Sequence, residues 1–205
     1  MTDKAEQYRE LVNSLYELGT KEAAAITTDR YRIMFHYFVR CVRLALAIIL
    51  LVEKENLVGA YALEKSLIDA LLTGLYLCYS APEPEFQEIL ALALSGRGTG
   101  YSKMKHRARE IDRHFAKRKA AETISFVRLV RENSESLNEF GHGGLLSMGV
   151  ESPTIAPAFT AKRLSRSAFV PIMFLAHVFR LEGIELAPLK ALMGKFTEIG
   201  GELER

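Results

Sequence analysis

The sequence predicts an all-α, up-and-down-like helical bundle of seven or eight helices, and three observations predict it. Apolar residues recur at helical spacing in almost every window, whereas the strict alternation of a half-buried strand is nearly absent. Two long apolar stretches, Asp29 to Glu55 and Leu57 to Ser80, are joined through Lys54-Glu55-Asn56, the tight connection of an αα-hairpin. Glycines and prolines cluster at 82–84, 96–100 and 141–157, between periodic stretches, although Gly59 and Gly74 lie inside the second long stretch and Pro171 inside a later one. With 205 residues, 49% of them hydrophobic and 25% charged, the chain can build one sizeable core, and it reads as a single domain over 1–205 with its core at 29–181.

Thr2 is an N-cap residue for a first helix ending near Gly19, and Lys21 to Thr28 forms a short second one. The central hairpin follows, stopped by Pro82 and Pro84, and Glu85 to Ser95 is helical again. Gly96-Arg97-Gly98-Thr99-Gly100 is a joint into a basic segment. Ser102 to Ala120 and Glu122 to Phe140 read as two further helices, the second closed by Gly141 as a left-handed cap. Gly141 to Pro157 is a long connection of the kind that carries function. Thr160 to Leu181 is an apolar helix that must start at or kink around Pro171, and Pro188 opens the last helix in its first turn.

Composition narrows the function classes. The N-terminal residues lack a signal-peptide pattern, and the longest uninterrupted apolar run, Leu44 to Val52, is too short to span a bilayer, so a cytoplasmic protein with no membrane partner is expected. Cys41 and Cys78 lie in apolar helical stretches without metal-type spacing, as unreactive core thiols of a reducing compartment do. The net charge of +2 is unevenly spread: residues 97–119 hold nine Lys or Arg against two acids. Lys103, Lys105, Arg107, Arg109, Arg113 and Lys117 are therefore candidates for contact with a phosphate backbone, the alternative being a solvated helix of the same composition.

The sharpest feature is a polar stripe on the most apolar helix. Asp29, Arg32, His36, Arg40 and Arg43 are spaced three, four, four and three apart, so they stack on one face, while almost everything else from Ile33 to Val52 is apolar. Such a stripe is a solvent seam, a partner surface or a site. On the next helix Glu64 falls in the apolar seam of Leu57, Tyr61, Ile68, Leu71, Leu75 and Cys78. A buried carboxylate needs a partner, for which Arg40 and Arg43 on the hairpin mate are the expected ones; the pair is either structural or a tuned site carboxylate.

His142 stands among three glycines just past a helix end, where a ligand can approach the ring closely, or where the imidazole caps the helix. His177 reads as a core or boundary histidine, and His106 and His114 as solvent-facing. No Gly-x-Ser-x-Gly elbow or phosphate loop is present, and a di-iron set is incomplete. His36, His142 and Glu64 make the one grouping with metal-ligand character, but no metal or cofactor is expected.

His36-Tyr-Phe-Val-Arg40, Asn56-Leu-Val-Gly59-Ala-Tyr-Ala-Leu-Glu64-Lys-Ser-Leu-Ile-Asp69 with Gly74-Leu-Tyr, and His142-Gly-Gly together resemble an uncharacterised bacterial helical family. That family is distantly similar to HEPN domains, helical bundles of toxin-antitoxin and phage-defence systems. The resemblance runs over residues 29–180. It implies a four- to five-helix bundle, often homodimeric, in which some members cleave RNA without a metal. HEPN ribonucleases carry Arg-x4-6-His, a spacing matched here by Arg30 with His36 and by Arg107 and Arg109 with His114, although Tyr31, Ala108 and Glu110 stand where the family has a small polar residue.

The expectation is a pocket of Arg32, His36, Arg40, Arg43, Glu64 and His142, in which Arg32 and Arg40 hold phosphate and His36 or His142 is the general acid or base. The partners implied are RNA and an antitoxin or defence-system component. A non-enzymatic interaction module with a structural stripe is the alternative reading, and a bundle binding a small anion or metal the third.

Overall fold

The structure, a computed structural model, describes residues 2–23, 28–94, 104–117, 125–131 and 156–196. Among the described residues there are eight helical segments and no strand: α1 (Thr2–Ala23), α2 (Asp29–Glu53), α3 (Leu57–Tyr79), α4 (Glu83–Leu94), α5 (Met104–Lys117), α6 (126–131), α7 (Ala156–Glu182) and α8 (Ala187–Lys195). The all-α bundle expected from the sequence is the fold observed.

The α2–α3 hairpin is its centre. Glu55 takes a left-handed conformation at φ 58°, Asn56 N–H donates to Leu51 O at 2.8 Å, and Asn56 Oδ1 accepts from Gly59 N at 2.9 Å. The turn thus satisfies orphan groups of both helix ends, and α3 starts on a side-chain cap. From Leu67 to Leu77 every α3 position except Asp69 is buried, so α3 is the axis of the bundle. α7 packs across both hairpin helices, α1 lies on α2 and α7, α5 lies on α3, and α8 lies on α1.

Three boundaries differ from the sequence reading. α1 runs unbroken through Gly19, because that glycine serves packing: a Cβ there would lie 2.6 Å from Phe38 Cε1 and 3.2 Å from Leu175 Cδ1. α4 begins at Glu83, before Pro84, since proline at a first turn forfeits only a donor that has no helical acceptor. α7 begins at Ala156 and continues through Pro171.

By length and composition alone, α2 and the 160–182 part of α7 are apolar enough to cross a membrane, with mean hydropathies of 1.9 and 1.3 over their most apolar stretches. A nine-residue uninterrupted run is therefore too narrow a criterion for this chain. In the bundle the apolar face of α2, including Met34, Phe38, Cys41, Ala45 and Ile48, is spent on packing.

Candidate functional site

Packing of that apolar face leaves the opposite one outward. Asp29, Arg32, His36, Arg40 and Arg43 are all exposed, and Arg32 to Arg43 covers about 16 Å of helix at 1.5 Å per residue. Arg32 Nη1 lies 3.5 Å from Asp29 Oδ1, a solvated pair. Arg40 is the link to the interior: its charge, with those of Arg107 and Lys65, acts on the half-buried carboxyl of Asp69. Burial outweighs these cations and raises the Asp69 carboxyl above its ordinary range.

Glu64 is not part of this surface. It is 1% exposed, but its partners are Arg163 and Arg166 of α7, with Arg166 Nη1 2.6 Å from Oε1 and Arg163 ion-paired to Oε2. The expected pairing with Arg40 or Arg43 is corrected: Glu64 lies on the side of α3 that meets α7, and the hairpin arginines point to solvent. Arg163 also stacks over the Tyr61 ring at 4.2 Å. Its guanidinium pKa is pushed down to about 10 by desolvation and by the neighbouring charge of Arg166. Glu64 is thus the acidic centre of a buried structural triad rather than a carboxylate beside His36.

The basic segment also divides. Lys105, Arg109, Arg113 and Lys117 are exposed and four residues apart, so they form one cationic row on α5, where Arg113 Nη1 also bonds Glu110 Oε1 at 2.5 Å. Arg107 does not belong to it. This side chain is fully buried and donates to Thr73 Oγ1 at 2.7 Å and Asp69 Oδ1 at 3.4 Å, so the expected phosphate contact is corrected to a core ion pair. By facing α3, Arg107 sets which side of α5 is turned out. Lys103, and His142 with its glycine loop, lie outside the described residues.

The histidines separate in the same way. His36 and His106 are exposed. His177 is a core residue, as expected, with Nδ1 2.9 Å from Tyr79 Oη, and burial pushes its pKa down to about 4, with the charge of Arg180 adding to the effect. His114 is half-buried rather than solvent-facing, because its ring joins Tyr79, Phe115, Phe126 and His177 in one aromatic cluster. Of the Arg-x4-6-His matches, Arg107 is in the core, leaving Arg109 with His114, while Arg30 is occupied at the end of α3: it donates to Leu77 O at 2.8 Å, Ala81 O at 3.2 Å and Glu83 Oε2 at 2.7 Å. Burial pushes both thiols up, Cys78 to about 12 and Cys41 further, which keeps them protonated at neutral pH.

Beside the N-terminal end of the stripe is a cleft of about 320 Å³, at the small end of ligand-binding volumes. Asp29, Arg30 and Tyr31 of α2 line one side; Glu83, Phe86 and Gln87 of α4 line the other. Sequence reading missed it because α4 meets α2 only through the fold. Among the described residues no group of three or more His, Cys, Asp or Glu is placed to hold a metal.

No family model, no curated protein and no solved structure matches this chain.

Proposed function

We propose that this is a HEPN-like bacterial protein of the defence or toxin type that binds RNA by its phosphates along α2. The observation that carries this reading is the exposed stripe of Arg32, His36, Arg40 and Arg43 on a helix otherwise committed to the core. Three guanidiniums along one line suit bidentate contacts to successive phosphates, and such contacts are indifferent to sequence. The α5 row of Lys105, Arg109, Arg113 and Lys117 supports it as a second electrostatic tract. In this reading His36, between Arg32 and Arg40, is the proton-transfer group of metal-independent cleavage. It takes the proton of a ribose 2′-hydroxyl attacking the adjacent phosphate, or gives one to the departing 5′-oxygen.

The test is fluorescence anisotropy with a labelled single-stranded RNA across a salt series, with the length of the RNA followed on gels. Replacing Arg32, Arg40 and Arg43 together by alanine should flatten the log–log salt dependence by about 2, since each phosphate no longer neutralised lowers the slope by about 0.7. His36→Ala should leave binding near wild type and stop strand cleavage. Equal affinity and salt slope in wild type and the triple variant would overturn the reading.

A further inference from the structure

The cleft beside the stripe differs from it in charge. Among the described residues its only cation is Arg30, whose guanidinium is already held by the Glu83 carboxylate and by the carbonyls of Leu77 and Ala81. Its other charges are the carboxylates of Asp29 and Glu83. A phosphate entering would meet two anions and a cation already engaged, so the cleft and the stripe suit different parts of a ligand.

What the cleft offers instead is a flat surface and hydrogen-bond acceptors. The Arg30 guanidinium lies 4.5 Å over the Phe86 ring and stays 31% exposed, a plane of the kind on which unpaired bases stack. Glu83 Oε1 accepts from Gln87 Nε2 at 2.8 Å and Oε2 from Arg30. A carboxylate has about four lone-pair positions, so after these two bonds it can still accept from a ligand donor. Those two bonds also hold its carboxyl below the ordinary carboxylate range, with that from Gln87 the larger influence.

The two surfaces are continuous. Asp29 lines the cleft and is the partner of Arg32, the first arginine of the stripe. Resting on the RNA-binding reading above, we infer that the cleft takes one unpaired base of the bound strand, stacked on Arg30 and read through an exocyclic amino group by Glu83. The ligand class is then single-stranded RNA with an amino-bearing base, adenine, cytosine or guanine before uracil.

The experiment measures anisotropy of labelled rA12, rC12 and rU12 at fixed salt for the wild type, Glu83→Gln, Gln87→Ala and Arg43→Ala. Wild type should bind rA12 or rC12 about tenfold more tightly than rU12, the size of one good base contact. Glu83→Gln should erase that ratio, while the loss of an anion beside the stripe shifts all three oligomers alike, and Gln87→Ala should narrow the ratio. Arg43→Ala should weaken all three oligomers by one common factor. Equal wild-type affinities, or a ratio that survives both cleft variants, would overturn the base site while leaving the phosphate-binding reading intact. Failure of wild type to bind any of the three overturns both. Circular dichroism of each variant establishes that a vanished ratio is not a vanished fold.

Discussion

Acid should destabilise this protein through His177, and the size of the effect follows from its surroundings. The ring is 3% exposed among Tyr79, Phe115 and Phe126, where an imidazolium would lose its water and feel the charge of Arg180. In the unfolded chain it takes a proton near 6.5, whereas in the folded chain it resists until about 4. Between those values only the unfolded state gains the proton, so stability falls as pH falls. At about 1.4 kcal/mol per pH unit the loss totals about 3 kcal/mol and levels off below the folded value. Urea unfolding followed by circular dichroism at pH 7.5, 6, 5 and 4 measures it. His177→Phe removes the group while keeping a ring in the cluster, so its stability should decline less over the same range by about 3 kcal/mol. Asp69 and Glu182, whose carboxyls are raised by burial, act with the opposite sign, but they are common to both proteins and cancel in the difference. Parallel curves for wild type and variant would refute the argument.

Two further outcomes test the interior. Glu64→Ala removes the shared anion of Arg163 and Arg166 and should cost about 3–5 kcal/mol in denaturant unfolding, while replacing Glu64, Arg163 and Arg166 together by apolar residues of similar volume should recover most of it. Gly74→Ala would push a Cβ into the Phe174 ring and within 2.9 Å of Tyr37 Cβ, so calorimetry should show a loss of about 1–3 kcal/mol.

The hairpin was legible in the sequence because period and connection length agree on one answer, to which the structure adds the Asn56 cap. The stripe was legible as one polar face from its three- and four-residue spacing, but its direction was not: Arg40 and Arg43 were expected to serve Glu64, and both face solvent. Glu64 was recognisable as buried from its seam, but its partners were not, because α3 meets α7 only after folding, 99 and 102 residues further along the chain. Arg163 shares its face with Thr160 and Ser167 as well as Val170 and Phe174, so that face carries no apolar seam to mark it, whereas Arg107 occupies one with Met104, Ala108 and Ile111. The reasoning that placed Glu64 inside applies to Arg107. Counting net charge over residues 97–119 concealed this, because a sum does not record which way each side chain points. The cleft had no local signature, as its two walls lie more than fifty residues apart.

Asp112 fastens the corner between α5 and α6 with one carboxylate. One oxygen accepts from Phe126 N at 2.8 Å, and the other accepts from Ser125 Oγ at 2.9 Å and Val127 N at 3.1 Å. The start of α6 is therefore capped by the carboxylate of a different helix, at the end where the helix dipole favours a negative charge. A corner fastened in this way works as a pin joint: a single carboxylate of α5 fixes where α6 begins, and Asp112→Ala would release the Ser125 hydroxyl and the first two amides of α6 together.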